Sequence, residues 1–387
     1  MQRWDIFCKV VDNYGDIGVC WRLARQLANE HGLAVRLWVD EPGVAQRLIG
    51  GLDTSLERQA IDGVEICRWV EPFADEMVAD VVIEAFGCEL PQSYLAAMAA
   101  LSSPQPSPHR GEGVKHVWLN LEYLSAETWV TEFHLQPSPH PALLLTKYFF
   151  FPGFTEQTGG LIREQGLIKK RDAFQNSSQA QATFWNKLAV ADSAALKVSL
   201  FCYADAPIVD LLESMAASSQ PVLCLVPDSG ILPTISEYFG ASSLKAGVSV
   251  SKGNLTVQLL PFLSQDDYDC LLWACDLNLV RGEDSWVRAL WAAKPIIWQP
   301  YRQQQETHLV KLHAFLDLYS AGLSEGASNV LRESHTRWCS HSFAAENWQA
   351  ILSHLPELKG HAIEQAEQLA TYTDLAAKLV IFCQNKV

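Results

Sequence analysis

Short apolar runs alternate with helical apolar patterns along both halves of this chain of 387 residues. Runs such as 80–86 and 221–226 are almost continuously apolar, as strands covered on both faces must be. Alternation of strands and helices within each half predicts two parallel sheets, each with helices on its faces. We therefore predict an α/β protein built from two Rossmann-like domains that face a central cleft.

The predicted elements follow the same pattern in the two halves. Strands are predicted over 4–11, 34–39, 64–69, 80–86, 116–121, 196–203, 221–226, 255–260, 276–280 and 295–298. Helices are predicted over 17–31, 91–101, 178–190, 206–217, 231–239, 266–274, 285–293 and 306–316. In an open α/β sheet, ligands bind at the turns that lead from a strand into the following helix, so these turns are where functional residues are expected.

A polar stretch over 155–182 separates the two halves, and a strand pattern restarts at Leu196. This composition predicts domains over 1–180 and 181–360. The remaining segment, 361–387, reads as one C-terminal helix that could pack back on the N-terminal domain. The segment 102–113 contains three prolines and no large apolar side chain, so we expect an exposed loop there.

The composition excludes several classes of function. With a formal net charge of −15, the chain lacks the basic footprint of a general nucleic-acid binder and is unsuited to anionic lipid. Its ten cysteines form no CxxC pair, and His308 and His313 have no third ligand at zinc spacing, so we expect no metal site. The start of the chain reads as a strand rather than a signal peptide, which predicts a soluble cytoplasmic protein without membrane or nucleic-acid partners.

An acidic turn, Asp12-Asn13-Tyr14-Gly15-Asp16, follows the first apolar run and precedes the first helical pattern. Ligands of open α/β sheets bind at such turns, where a dinucleotide site would carry glycines rather than acids. One interpretation is structural: Asp16 caps the helix and Asp12 starts the turn. The other is catalytic: one acid orients or deprotonates a nucleophile while the other holds it in place.

A second acidic turn, Arg281-Gly282-Glu283-Asp284-Ser285, has the same position in the second half. Glycine permits a sharp turn, and free N–H groups at a helix start can hold a diphosphate. Arg281 favours an anion, whereas Glu283 and Asp284 would repel phosphate and are expected to face sugar hydroxyls or a cationic acceptor. The structural alternative is helix capping by Asp284 or Ser285.

Aromatic residues end two of the predicted strands in the second half. Phe201 and Tyr203 follow one strand and Phe262 another, where they could stack on a base, with Gln265 bonding its edge. Ordinary core packing is the alternative. The chain contains no GxGxxG after its first strand, no GxxxxGK[ST] and no GxSxG, which argues against a dehydrogenase, a P-loop enzyme and a serine hydrolase.

These residues also resemble a known family. Residues 6–19, with 21–25, are similar to the N-terminus of EarP, the family of protein-arginine rhamnosyltransferases that modify elongation factor P. The resemblance spans nearly the whole chain in matching order, at Asn120–Glu127, Gly159–Glu164, Pro261–Phe262 with Gln265, Val280–Ser285 with Val287–Ala289, and His308–Phe315. Segment 102–113 departs from the family pattern and looks like an insertion.

The resemblance implies a GT-B glycosyltransferase fold and a reaction without a metal or other cofactor. The donor would be TDP-β-L-rhamnose, and the product an α-rhamnosyl arginine on elongation factor P, activated to rescue polyproline-stalled ribosomes. It implies a general base at Asp16 and a need for Asp12 and Glu283. The implied donor-binding residues are Asn13, Tyr14, Gly15, Phe201, Tyr203, Phe262, Gln265, Arg281, Gly282, Glu283, Asp284 and Ser285.

Two other functions stay open at this point. The chain could be a GT-B glycosyltransferase with another acceptor, a small molecule or a different protein. It could also be a nucleotide-sugar-binding protein without catalytic activity, against which the acids Asp16 and Glu283 argue.

Overall fold

The computed structural model describes residues 2–12, 14–70, 72–73, 77–102, 116–191, 193–303 and 306–386. The chain forms two compact units. The first comprises Met1–Gln165 together with Tyr372–Val387, and the second comprises Gly166–Thr371. The boundaries expected from composition, at 180 and 361, therefore both fall inside the second unit.

The first unit contains one sheet whose strand order is β3-β4-β2-β1-β5-β6-β8-β7. Its neighbouring strands pair in parallel except in β3–β4 and β7–β8. The strands are β1 (Arg3–Cys8), β2 (Ala34–Val39), β3 (Arg58–Ile61), β4 (Val64–Arg68), β5 (Val81–Ala85), β6 (Val117–Leu121), β7 (Pro137–Pro139) and β8 (Thr146–Phe150). The helices between them are α1 (Tyr14–His31), α2 (Pro42–Leu48), α3 (Gln92–Ser102) and α4 (Val130–Phe133).

Both faces of this sheet are covered, which explains why its central strands are continuously apolar. Every residue of β5 and β6 is buried. Along β1, Trp4, Ile6 and Cys8 join the apolar cluster on one face, whereas Phe7 joins the aromatic cluster on the other. This alternation is the period-2 geometry of a strand buried between two layers of helices.

The second unit contains a smaller sheet of order β11-β12-β10-β9-β13-β14, parallel except for the β11–β12 pair. The strands are β9 (Leu196–Leu200), β10 (Val222–Pro227), β11 (Ser249–Lys252), β12 (Leu255–Leu260), β13 (Leu277–Arg281) and β14 (Ile296–Gln299). The helices are α5 (Leu167–Gln175), α6 (Ser178–Lys187), α7 (Ile208–Ala216), α8 (Leu232–Tyr238), α9 (Gln265–Ala274), α10 (Asp284–Trp291), α11 (Thr307–Tyr319), α12 (Glu325–Cys339) and α13 (Ala345–Ala370).

Each sheet has one point where the order of its strands reverses. In the first unit the reversal lies between β1 and β5, and in the second it lies between β9 and β13. The loops that leave two such neighbouring strands run to opposite sides of the sheet, which opens a crevice at their carboxyl ends. Both acidic turns follow strands at these reversal points, β1 and β13.

The C-terminal segment is not the single helix expected over 361–387. Helix α13 ends at Ala370, and a separate helix, α14 (Leu375–Gln384), begins after a break. The Asp374 carboxylate caps this new helix by accepting a hydrogen bond from the Ala377 N–H, at 3.1 Å. Apolar residues of α14, among them Leu375 and Leu379, belong to the core of the first unit beside α1.

Polar anchoring explains why the boundary lies before α5 rather than at residue 180. Arg171 donates a hydrogen bond to the Trp291 carbonyl at 3.0 Å. Gln175 donates to the carbonyls of Trp273 and Ala292, at 3.1 and 3.0 Å. These bonds tie α5 to the ends of α9 and α10, so the segment belongs to the second unit.

Two further expectations from the sequence concern the insertion at 102–113 and membrane-spanning helices. Helix α3 extends to Ser102, and residues 103–113 of the expected insertion lie outside the described residues. Within the described ranges, we find no helix with the length and apolar character that crossing a membrane requires.

We predict that one buried histidine makes the fold sensitive to acid. His335 is fully buried, donates from Nδ1 to the Leu331 carbonyl, and has its pKa lowered to about 4 by burial. Because the unfolded chain takes up this proton near pH 6.5 and the folded chain only near 4, stability should fall by about 3 kcal/mol as pH drops across that window. Urea unfolding of His335→Asn, which keeps the Nδ1-side donor, should show a flatter dependence on pH.

His313→Asn is the matched control, because His313 is exposed on α11. This variant should lose stability in acid as the wild type does. An identical pH dependence for wild type and His335→Asn would contradict the assignment.

Candidate active site

The first acidic turn lies at the reversal point of the first sheet, between the end of β1 and the start of α1. The structure begins α1 at Tyr14, so Tyr14, Gly15 and Asp16 form the first turn of the helix. Asp12 precedes the helix, and Asn13 lies outside the described residues. Asp16 is therefore not the N-cap residue that the structural interpretation required.

The Asp16 carboxylate is held by the loop in front of it. Only 2% of Asp16 is exposed, and its Oδ2 accepts hydrogen bonds from the N–H groups of Val11 and Asp12, at 2.8 and 2.7 Å. The hydroxyl of Tyr123 also bonds to it. Burial raises the pKa of Asp16, with a further rise from Asp40, and outweighs the three hydrogen bonds, which lower it. Asp16 is thus a fixed carboxylate with more affinity for a proton than an exposed one.

Gly15 allows the Asp12 side chain to lie close to the start of the helix. The Gly15 N–H donates to the Asp12 carbonyl at 2.7 Å, and a Cβ atom at Gly15 would lie 2.7 Å from Asp12 Oδ2. The Tyr14 ring contacts the Arg47 guanidinium, whose carbon is 5.8 Å from the ring centre. The turn therefore brings two carboxylates close to the crevice with an aromatic ring beside them.

In the second unit, Arg281 lies against two aromatic rings. The guanidinium carbon is 4.7 Å from the centre of the Phe201 ring and 4.4 Å from that of Tyr203. Phe201 and Tyr203 follow β9, and Arg281 ends β13, so the reversal point of the second sheet brings all three together. Contacts with both rings fix the plane of the guanidinium and leave a cation beside the crevice.

The turn after Arg281 is shaped by backbone contacts. Gly282 has a φ of +62°, a conformation that glycine adopts without strain, and its carbonyl accepts from the Trp298 indole at 2.7 Å. The Ser285 hydroxyl bonds to the backbone of Arg281 rather than capping α10. Glu283 occupies the N-cap position but makes no side-chain cap. Simple capping by Asp284 or Ser285 does not explain this turn.

Phe262 and Gln265 lie near the start of α9. Phe262 is half-buried in the loop after β12, and Gln265 is the buried first residue of the helix. One turn further, Tyr268 packs edge-to-face on Phe201, with ring centres 5.6 Å apart. Helix α9 is thereby placed beside the residues around Arg281.

Glu283 contacts a lysine from another part of the chain. Lys311 Nζ, on α11, lies 2.6 Å from Glu283 Oε1, and the two side chains are 15% and 16% exposed. Half-buried ion pairs of this length are held more firmly than surface pairs, because water screens them less. Lys311 is therefore a partner that helps to hold the Glu283 carboxylate in position.

The model of the family described as "Elongation-Factor P (EF-P) rhamnosyltransferase EarP" matches residues 4–384. This chain belongs to the EarP family. It is 48% identical over 383 residues to the protein-arginine rhamnosyltransferase of Pseudomonas aeruginosa, and 46% identical over 385 residues to that of Pseudomonas putida. Each alignment covers 99% of both chains.

Solved structures agree with membership of the EarP family. A chain from "Structural basis for EarP-mediated arginine glycosylation of translation elongation factor EF-P" is 36% identical, with a TM-score of 0.70 over 100% of both chains. The plant glycosyltransferase UGT2 of Phytolacca americana, with UDP-2fluoro-glucose and pterostilbene, is 11% identical, with a TM-score of 0.52 over 100% of this chain and 99% of that one. The chain is thus a glycosyltransferase of GT-B fold, as predicted.

Two side chains at the site of this EarP family member escaped the sequence-based assignment. Tyr123 lies within the segment Asn120–Glu127 that carries part of the resemblance, but its contact with Asp16 was not foreseen. The position of Tyr123 just after β6 could have indicated this contact, because side chains at the carboxyl ends of neighbouring parallel strands converge. Lys311 lies within another segment of the resemblance, His308–Phe315, but its position on a helix rather than at a strand end gave no signal of a contact with Glu283.

Among the residues that the structure describes, no three His, Cys, Asp or Glu side chains are grouped so that they could hold a metal ion. The first unit offers the carboxylates of its acidic turn, and the second offers the Arg281 guanidinium and the aromatic rings beside it. Carboxylates can orient a cation or accept a proton, and a guanidinium beside a helix start can bind an anion.

Proposed function

We propose that this EarP family member transfers L-rhamnose from TDP-β-L-rhamnose to an arginine of elongation factor P, with inversion at the anomeric carbon. The proposal includes no metal or other cofactor. The modified factor would then rescue polyproline-stalled ribosomes, so the reaction belongs in the cytoplasm. The observation that carries the proposal is the acidic turn of Asp12 and Asp16 at the carboxyl end of β1. It occurs in a chain that aligns with 99% of two relatives named protein-arginine rhamnosyltransferase.

The carboxylates of the first unit suit a guanidinium acceptor. An arginine side chain has a pKa above about 12 and is a poor nucleophile, because its lone pairs are delocalised. An isolated carboxylate cannot remove its proton in the ground state. We infer that Asp12 and Asp16 first fix the guanidinium by charge-assisted hydrogen bonds, which orient one nitrogen toward the sugar.

Proton transfer would follow as the new bond forms. The nitrogen–C1 bond forms while the bond from C1 to the diphosphate oxygen breaks, and the nitrogen becomes acidic as its electrons move to carbon. Asp16 then accepts the proton. Its raised pKa, which results from burial, makes it a better acceptor than an exposed aspartate.

The diphosphate leaving group needs positive partners in the second unit. The Arg281 guanidinium and the first N–H groups of α10 can stabilise the charge that develops on it. Phe201, Tyr203 and Phe262 would hold the nucleotide, with Gln265 at the edge of the base. Glu283 and Asp284 would bind sugar hydroxyls or the cationic acceptor.

Incubation with TDP-β-L-rhamnose and elongation factor P, read by mass spectrometry, tests the proposal. We expect the mass of one deoxyhexose on the factor, located on an arginine by fragmentation. Consumption of the donor without a change in the factor would favour a different acceptor. Binding of the donor without turnover or hydrolysis would favour a nucleotide-sugar-binding protein, and either outcome would overturn the proposal.

A further inference from the structure

The second acidic turn poses an electrostatic problem for a diphosphate ligand. Glu283 and Asp284 lie at the start of the helix whose N–H groups would face the phosphates. A carboxylate close to a phosphate repels it, because a protein surface screens like charges less than bulk water does. Arg281 alone does not balance the two carboxylates, so the turn carries an excess negative charge even before a diphosphate binds.

Lys311 supplies the missing positive charge. Its Nζ lies 2.6 Å from Glu283 Oε1, and both side chains are largely shielded from water. The positive charges of Arg281 and Lys311 together equal the negative charges of Glu283 and Asp284. Lys311 lies on α11, which comes after β14 in the chain. It therefore reaches Glu283 from outside the acidic turn.

We propose that Lys311 is a positioning residue for donor binding and transfer. It fixes the Glu283 carboxylate and neutralises it, so that the turn can accept the diphosphate of a nucleotide sugar. This inference rests on the proposed function, because it assumes a diphosphate ligand at this turn. Lys311 acts through Glu283 and is not itself required to touch the substrate.

Calorimetry with TDP and kinetics with TDP-β-L-rhamnose test this role on the full-length protein. Lys311→Met removes the positive charge that lies beside Glu283 and should raise the Kd for TDP about tenfold. It should also lower kcat, because Glu283 loses its ion pair with Lys311 and is held less firmly. Lys311→Arg retains the cation and should recover most of the TDP affinity.

A double-mutant cycle separates an indirect role from direct phosphate binding. In a Glu283→Gln background the repelling charge is absent, so Lys311→Met should change the Kd for TDP by less than about twofold. An equal loss of affinity in both backgrounds would indicate that Lys311 binds phosphate directly and would overturn the positioning role. The double variant also removes both charges together, so it should fold even if Lys311→Met alone does not.

Lys252→Met is the matched control. Lys252 pairs with Glu213 at the same distance of 2.6 Å in the same unit, but both side chains are about half exposed. Its TDP affinity should equal that of the wild type. If wild-type protein binds no TDP, the proposed function fails and this inference with it; if wild type binds TDP and Lys311→Met binds equally well, only the role of Lys311 is wrong.

Discussion

Replacing Asp16 with asparagine should abolish most rhamnosyl transfer while leaving TDP binding close to that of the wild type. Asparagine retains the size of the side chain and an oxygen for the N–H groups of Val11 and Asp12, but it cannot accept a proton or carry charge. Loss of a general base reduces rates by about 10²–10⁴-fold. Single-turnover transfer followed by mass spectrometry measures the loss, and calorimetry with TDP measures binding.

Tyr123→Phe is the matched variant for this prediction. It removes one hydrogen bond to Asp16 and retains the ring that stacks on Phe86, where the ring centres are 4.5 Å apart. Because the carboxylate itself remains, transfer should fall by only about tenfold or less. Turnover by Asp16→Asn at the wild-type rate would show that Asp16 is not the base.

The stability of Asp16→Asn provides an independent check of the electrostatics. Because burial raises the folded-state pKa of Asp16, the folded protein favours the neutral form more than the unfolded chain does. The stability that the neutral form contributes is present below the unfolded pKa and is lost as pH rises through the folded one. At pH 7 Asp16→Asn should therefore be at least as stable as the wild type, as expected for a catalytic group held at a cost in stability.

The central strands of both sheets could be predicted from sequence because burial on both faces makes them apolar. The structure gives β2 and β12 the predicted bounds, and it places β5 and β10 within a residue of theirs. Peripheral strands gave no such signal. β3, β7 and β11 are largely exposed, so their side chains need not be apolar, and only pairing with a neighbouring strand defines them.

The division of the C-terminal region could not be predicted, because it depends on tertiary contacts. Apolar residues continue with helical spacing through 361–387, which favours one helix. The structure ends α13 at Ala370 and starts α14 at Leu375, whose N–H donates to the Leu161 carbonyl at 3.0 Å. A contact with a residue so distant in sequence leaves no trace in local periodicity.

The difference between local patterns and long-range contacts also applies to the candidate site. Turns that follow strands are visible as local patterns, so both acidic turns could be identified from sequence. The partners of their carboxylates could not, because Tyr123 and Lys311 reach Asp16 and Glu283 through the order of strands and the path of α11. Specific chemistry came from the resemblance, since acids and aromatic residues at these turns suit several ligands.

Replacing Arg281 with alanine should produce the largest loss of donor affinity. The guanidinium lies beside the rings of Phe201 and Tyr203 and next to the start of α10, so its orientation is fixed before an anion binds. Loss of a pre-oriented, charge-assisted contact with a diphosphate should weaken TDP binding about 10²-fold. Lysine at this position keeps the charge but not the planar group that packs on both rings, so Arg281→Lys should bind with intermediate affinity.

Two further variants make the Arg281 prediction specific. Tyr203→Ala removes one of the two rings and should also weaken TDP binding, because the guanidinium loses part of its support. Arg337→Ala is the control, since Arg337 is half exposed on α12 and pairs with Glu333, and it should bind TDP as the wild type does. Thermal melting of each variant separates loss of the site from loss of the fold. Unchanged TDP affinity in both Arg281→Ala and Tyr203→Ala would mean that the donor binds elsewhere, because neither the charge of Arg281 nor the ring of Tyr203 would then contribute to TDP binding.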